Sequence, residues 1–414
     1  MNLVKTSFYT AISTAVTFIS GFVVTKVVAV KIGPGGMAYL GQFQNTTTIL
    51  SMLAVGAIGA GIIKYLAEYT GNHEKQQQVI VTSLSVILVA SMIISVAVMA
   101  GSGYLSKAAF HSIGFWEVYF LYGLFVTLIS LNTWFSSVYN GLKEIRKLTI
   151  VNITGSLSGL LFTTLFAYTW GVKGVLVASN AMAAMVFLLN LYFSRRLPQF
   201  VWRPNFKKWD KKLLRLFFSF TLMALVSGLL GPFIQILIRD KIIKDFSLPE
   251  AGLWQGISRI SDYYLSFITT VLAVYYLPRL SEIKEKAELK KEIGNGYKII
   301  LPVVSLLALS IWLLKDVVIQ VLFTPEFNGM RPLFKFQLLG DVLKIGSWLL
   351  SYVMLSKALV KTFIATEIYF SLQYVVLCYV FMAEFGIIGA TYGFCLNYTI
   401  YWIVMGLLMK KHIV

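Results

Sequence analysis

Twelve apolar segments, each close to the 20 or so residues a helix needs to cross a bilayer, leave this chain few choices of fold. They lie near 7–31, 38–63, 79–100, 115–138, 148–169 and 172–193, and then near 213–238, 251–277, 297–314, 333–356, 363–383 and 386–409. Inside lipid every backbone N–H and C=O must find a partner within the protein, so only helices and closed barrels span. No segment shows the ten-residue alternation of a barrel strand. The pattern predicts an all-α polytopic membrane protein of about 12 transmembrane helices. Composition agrees: 57% of residues are hydrophobic and only 13% charged, about half the charged fraction of a soluble domain.

Lysine and arginine then orient the spans. With the N-terminus cytoplasmic, one set of loops holds 24 Lys and Arg and the other holds 8. The positive-inside rule places both termini in the cytoplasm and explains the net charge of +18 without nucleic acid. Lys5 alone precedes the first apolar segment, which is too long for a signal-peptide core and is read as the first span. Cys378 and Cys395 fall inside expected spans, and His73, His111 and His412 are scattered, so no disulfide, metal site or cofactor is expected.

The halves look related. Lys143 and Lys147 recur as Lys357 and Lys361 at an offset of 214, and Gly171 and Gly174 as Gly386 and Gly389 at 215. Leu40-Gly41-Gln42 precedes Trp254-Gln255-Gly256 by 214. The polar stretch Arg195–Lys212, with Trp202 and Trp209 among its basic residues, suits an anionic lipid surface and reads as the linker. The expected domains are 1–203 and 204–414, two six-helix bundles related as parallel repeats around a central cavity.

Charge inside the spans marks candidate function. Gly252–Pro278 carries Arg259 and Asp262, neighbours on one helical face that Gln255 and Ser266 continue. An intramembrane charge costs roughly 2.5–3.5 kcal/mol on insertion scales, so it either fixes helix register as an ion pair or lines a solute pathway. Gln337, Asp341, Lys344, Trp348 and Ser351 form a second polar face in the tenth segment. Glu367 is the lone acid of the eleventh, and Gln42, Gln44 and Asn45 mark the second. Lys26 lies about 120° from the Ser/Thr/Gly stripe of the first segment and reads equally as cavity lining or as a snorkelling side chain. Gly155-x-x-x-Gly159 suits close helix packing, and Gly231-Pro232 a kink or hinge.

Three stretches carry a family resemblance: Gly252–Ile283, Gly59–Tyr69 and Gln337–Gly346. They resemble Wzx-type lipid-linked oligosaccharide flippases of the multidrug/oligosaccharidyl-lipid/polysaccharide exporter superfamily. Enterobacterial common antigen lipid III flippases are the nearest group and O-antigen flippases the next. The similarity runs nearly end to end and is weakest around 72–120. It implies two six-helix bundles, a cationic cavity, and passage of an undecaprenyl-pyrophosphate-linked oligosaccharide to the periplasmic face of the bacterial inner membrane. It also implies that Asp262 and its neighbours matter to transport.

The residue chemistry fits that implication. Arg259 offers a planar fork for pyrophosphate, with Lys344 and Lys26 as helpers. Gln42, Asn45, Trp254, Gln255 and Tyr263 suit a sugar head. Asp262, Asp341 and Glu367 are candidates for coupling to H+ or Na+. Polyprenyl-linked glycan, membrane lipid, and polymerase and chain-length proteins of the same pathway are the expected partners. A multidrug or cation antiporter of the same superfamily is the alternative, though it would favour an acidic, aromatic pocket. A membrane glycosyltransferase or polymerase would need a catalytic cluster on a large loop. The acids Glu282, Glu285, Glu288 and Glu292 instead alternate with Lys as a solvated helix face. No enzyme is expected.

Overall fold

The computed structural model describes residues 3–56, 58–197 and 211–413, and no strand occurs among them. In chain order the helices are α1 (Leu3–Val55), α2 (Gly59–Glu68), α3 (His73–Ala100), α4 (Ser102–Phe110), α5 (Trp116–Gly141), α6 (Ile145–Ser194) and α7 (Lys211–Asp245). They continue as α8 (Leu248–Val271), α9 (Leu277–Glu282), α10 (Lys286–Leu313), α11 (Lys315–Leu322), α12 (Leu333–Ser356), α13 (Val360–Phe385) and α14 (Ile388–Ile413). Among the described residues, nine helices are long and apolar enough to cross a membrane.

Two of these are each two spans joined at a glycine. In α1 the break is Gly33 (φ 62°), followed by Pro34; in α6 it is Gly171 (φ 56°). Positive φ is cheap only without a Cβ, and Pro34 removes the N–H that would continue the first helix. With α7 added, each of the twelve expected segments falls on a helix.

Three details depart from the sequence reading. The second segment is interrupted at Gly56 (φ 66°) before α2 resumes. The eighth ends in a π-helical turn, Leu272–Tyr276, in which the Leu277 N–H reaches the Leu272 carbonyl. Pro278 follows at once in the first turn of α9 and supplies no N–H of its own. Short helices α4 and α11, each leading to a 3-10 turn, occupy what read as plain loops.

The internal repeat extends to individual backbone bonds. Lys143 (φ 59°) and Ala358 (φ 52°), 215 positions apart, are both left-handed. Beside them Glu144 N–H donates to Tyr139 O at 2.8 Å, and Leu359 N–H donates to Met354 O at 2.8 Å. These are matching helix-ending turns, in which a left-handed residue satisfies the last orphan carbonyls. Gly171 and Gly386 (φ 56° and 66°) turn the chain again at the same offset. Three residues on, a Cβ at Gly174 would stand 2.0 Å from Phe166 O, and one at Gly389 would stand 2.1 Å from Phe381 O.

The chain divides into two compact units: Met1–Ile32 with Tyr39–Phe233, and Gly33–Ala38 with Ile234–Val414. The expected division between 203 and 204, and the linker tryptophans Trp202 and Trp209, lie outside the described residues. The observed division falls between Phe233 and Ile234, one residue past Pro232, within α7. In the first unit, α2, α3, α5 and α6 bury a cluster that includes Ile62, Leu84, Trp134, Phe135 and Val186. Trp134 is fully buried, and its Nε1 donates to Ser83 Oγ at 2.9 Å.

In the second unit α12 packs against α14, α10, α8 and α13. Tyr297 OH donates to Gly346 O (2.7 Å) and accepts from Trp402 Nε1 (2.8 Å), tying α10, α12 and α14 together. The break in α1 belongs to this unit. A Cβ at Gly252 would lie 1.8 Å from Pro34 O, so the start of α8 rests directly on that backbone.

Gly174→Ala and Gly389→Ala are each expected to lower the thermal midpoint of the detergent-solubilised protein, by a destabilisation of about 1–3 kcal/mol. Gly406→Ala has open space around its would-be Cβ and is expected to leave the midpoint unchanged or slightly raised. Equal midpoints for all three would refute the tight-corner assignment.

Candidate functional site

Helix α8 starts with a cap and a proline. Ser247 Oγ accepts the Glu250 N–H at 3.3 Å, and Pro249 stands in the first turn. From there Gln255, Arg259, Asp262 and Ser266 follow at helical spacing on one face. Exposure rises along that face from Gln255 to Asp262. Gln255 is buried at 7%, Arg259 is half-buried and Asp262 is exposed.

The buried end is closed from α7. Arg239 is 1% exposed; its guanidinium donates to Gln255 Oε1, and its central carbon stands 5.5 Å from the ring centroid of Trp254. Arg259 and Asp262 both lie within its electrostatic reach. The seventh segment, expected to end at 238 with Arg239 counted among the loop charges beyond it, is longer than that: α7 continues to Asp245, and Arg239 turns inward between buried Ile238 and Ile242.

Asp262 stands in the field of three cations, Lys344, Arg259 and Arg239. Lys344, from α12, bears also on Asp341 and Glu367. Its ammonium lies 4.9 Å from the Trp348 ring, 5.7 Å from Tyr398 and 6.0 Å from Phe394, so aromatic faces help replace the water it has lost.

Asp341 has a different setting. It is fully buried, and its Oδ2 accepts from Ser261 Oγ (2.6 Å) and Tyr264 OH (2.7 Å). Gln337 Nε2 approaches both Asp341 Oδ1 (3.4 Å) and Ser261 Oγ (3.3 Å). Two charge-assisted bonds to one oxygen join α8 to α12. Glu367, on α13, is half-buried and accepts from Tyr401 OH at 3.4 Å.

The second unit thus gathers Arg259, Asp262, Asp341, Lys344 and Glu367 from the expected residues and adds Arg239. Half-buried Tyr263 is beside them on α8. Trp254 was expected to offer its ring to a sugar. It is 1% exposed and covered by Arg239, so it presents no such face. Gln255 is likewise taken up by Arg239. In the first unit, Lys26 and Asn45 are half-buried on α1, and Gln42 is fully buried.

Ser261, Tyr264 and Arg239 were missed. Ser261 and Tyr264 had a readable signal, since they stand on α8 beside the charged face, but nothing in one sequence announces that they meet α12. Among the described residues no group of His, Cys, Asp and Glu could hold a metal ion. Three of the four interleaved loop acids, Glu282, Glu288 and Glu292, gather on Arg279 at 3.7, 3.0 and 3.9 Å.

Residues 3–284 match the family described as "Polysaccharide biosynthesis protein". The chain is 31% identical over 405 residues to proteins named lipid III flippase from Escherichia coli (strain K12) and Shigella flexneri, covering 97% of either chain. Among solved structures, it resembles an inward-facing multidrug resistance MATE family transporter of the MOP superfamily. The TM-score is 0.80 at 16% identity, over 96% of this chain and 94% of that one. A MOP superfamily transporter from Pyrococcus furiosus, whose description speaks of a binding pocket of reverse polarity, follows at TM-score 0.73 and 15% identity, over 99% and 95%.

Tyr264→Phe is expected to destabilise the detergent-solubilised protein by about 1–2 kcal/mol, because a buried carboxylate loses one donor. Adding Asp341→Asn should cost less than the sum of the two single changes. Strict additivity in thermal melts would disconnect the pair.

Proposed function

Because the chain belongs to the polysaccharide biosynthesis protein family, we propose that it is a flippase for a polyprenyl-pyrophosphate-linked oligosaccharide. It moves this lipid from the cytoplasmic to the periplasmic face of the bacterial inner membrane, with both of its own termini cytoplasmic. The observation that carries the reading is the cluster of Arg259, Lys344 and Arg239 around one exposed acid, Asp262. A pyrophosphate diester carries two negative charges and must leave water to cross. Half-buried Arg259 presents a fork for its oxygens, and Lys344 adds a second accessible cation. A cation exporter fits such a cluster poorly, since three positive groups bear on Asp262 and one of them, Lys344, also bears on half-buried Glu367.

Tyr263 and Asn45 remain as candidate contacts for the sugar head, and Lys26 for the anion; all are half-buried. The polyprenyl tail can stay in lipid while the head moves, and alternating access lets the site serve each face in turn. No bond of the substrate is made or broken, so the chain acts as a transporter and not as an enzyme.

Asp262 gives this site its coupling group. An approaching phosphate meets the carboxylate as a like charge at the exposed end of the face. Neutralising it with H+ or Na+ removes the repulsion and frees Arg259 and Lys344 for the anion. Asp341 is poorly suited to that task, because its oxygens are held by Ser261, Tyr264 and Gln337. Glu367 shares Lys344 and forms the second candidate.

Complementation of defined flippase-null strains, scored for the surface glycan that returns, tests the function. Restoration of no lipid-linked glycan by a membrane-inserted protein would count against it. Arg259→Ala is expected to cut transport at least about 100-fold at normal membrane abundance, and Arg259→Lys to retain part of it, since charge survives while the fork is lost. Full transport by the alanine variant would make the residue a bystander.

Asp262→Asn is expected to remain abundant in membranes while transport stops, as a permanently neutral group cannot complete the cycle. Low abundance rescued by adding Arg259→Gln would instead mark Asp262 as a structural counter-ion.

A further inference from the structure

Arg239 is the one cation of the cluster that a ligand cannot touch. It is 1% exposed, its guanidinium bonds Gln255, and the indole of Trp254 lies against it. Two features nonetheless tie it to the anion site. It bears on Arg259 as a like charge and on Asp262 as an opposite one. Gln255, which it holds, is one helical turn before Arg259 on the same face of α8.

A fixed positive charge behind Arg259 biases that side chain toward the accessible end of the face. The same charge offsets part of the carboxylate of Asp262. Removing a fixed positive charge from beside the site weakens its attraction in proportion to the charge on the ligand, so a pyrophosphate diester, with two negative charges, loses more than a monophosphate diester, with one.

We infer that Arg239 is a positioning residue that sets the charge of the lipid linker this protein accepts, selecting pyrophosphate over monophosphate through Arg259 and Asp262. This rests on the flippase reading and deepens it. Arg239 never contacts the linker; it acts by field and by holding Gln255.

The test uses the purified full-length protein in proteoliposomes, with one glycan carried on either polyprenyl pyrophosphate or polyprenyl monophosphate. For Arg239→Gln, the ratio of pyrophosphate-linked to monophosphate-linked flipping should fall at least about tenfold relative to wild type. Arg239→Lys should keep most of the ratio, because the charge stays. A second variant, Gln255→Glu, keeps an acceptor oxygen for Arg239 but cancels its charge in place, and should shift the ratio in the same direction even where Arg239→Gln yields too little folded protein.

A purely structural role predicts equal loss on both lipids with a lowered thermal midpoint, and that result overturns the inference while leaving the flippase reading intact. An unchanged ratio in both neutralising variants overturns it as well. A wild-type protein that moves neither lipid overturns the flippase reading, and this inference with it.

Discussion

A guanidinium or carboxylate inside an apolar helix bundle cannot rely on bulk water, so its neighbours must supply what water would have given. The second unit holds six such groups on four helices: Arg239 on α7, Arg259 and Asp262 on α8, Asp341 and Lys344 on α12, and Glu367 on α13. Each unpaired ion would cost several kcal/mol to bury. The solution is interleaving. Lys344 serves three acids, Asp262 answers three cations, and hydroxyls and an amide complete Asp341. The register of α8 against α12 follows, because Ser261 and Tyr264 can both reach one oxygen of Asp341 only where the helices are aligned to bring them there. Buried ionic groups of this kind are weak evidence for stability, since apolar replacements are often as stable or more so. Their presence here accords with the proposed anion site.

The two halves put one backbone plan to unequal chemical use. Left-handed turns at Lys143 and Ala358, glycine corners at Gly171 and Gly386, and close approaches at Gly174 and Gly389 recur at a constant offset of 215. The same offset carries Arg239, Gln255, Arg259 and Asp262 back to Val24, Leu40, Gln44 and Thr47. It carries Asp341, Lys344 and Glu367 back to Val126, Ile129 and Asn152. Every charge of the second unit's cluster thus has an uncharged counterpart. Turns and corners are constraints on backbone geometry, which glycine and a tolerant left-handed residue meet in either half. Charge is a constraint of function, and the proposed anion site concentrates it in the second unit.

This separation also explains what could be read from one sequence. Span positions were legible because the length and apolarity of each segment report the bilayer directly. The repeat was legible at Gly171, Gly174, Gly386 and Gly389, where backbone geometry admits no other residue cheaply. Arg259, Asp262, Asp341 and Lys344 stood out because a charge in an apolar run is conspicuous. Arg239 did not stand out. It is followed by Asp240, Lys241, Lys244 and Asp245, so its charge merges with a polar segment that reads as a loop. Only the continuation of α7 and the burial of Ile238 and Ile242 show which way it turns. Trp254 failed in the other direction. An aromatic beside a polar face looks like a sugar platform until the cation that covers it is known.

Along α8 the order of exposure has a physical consequence of its own. Gln255 and its partner Arg239 form a closed, fixed end; Arg259 is intermediate; Asp262 is exposed. Electrostatic interactions strengthen as water is excluded, so the least reachable cation acts through the lowest local dielectric and the most reachable acid through the highest. Neutralising Asp262 therefore changes what an approaching anion meets first, while the positive field behind it stays in place. In the proposed cycle, ion uptake at Asp262 and admission of the anion at Arg259 are then linked along one helix, without a conformational relay between them. The π-helical turn at Leu272–Tyr276 ends this stretch of α8 just beyond the polar face, and such turns mark places where a helix departs from its regular ladder. The segment that carries the charges is thereby a self-contained piece of helix, anchored to α12 through Asp341 at its centre and to α7 through Arg239 at its start.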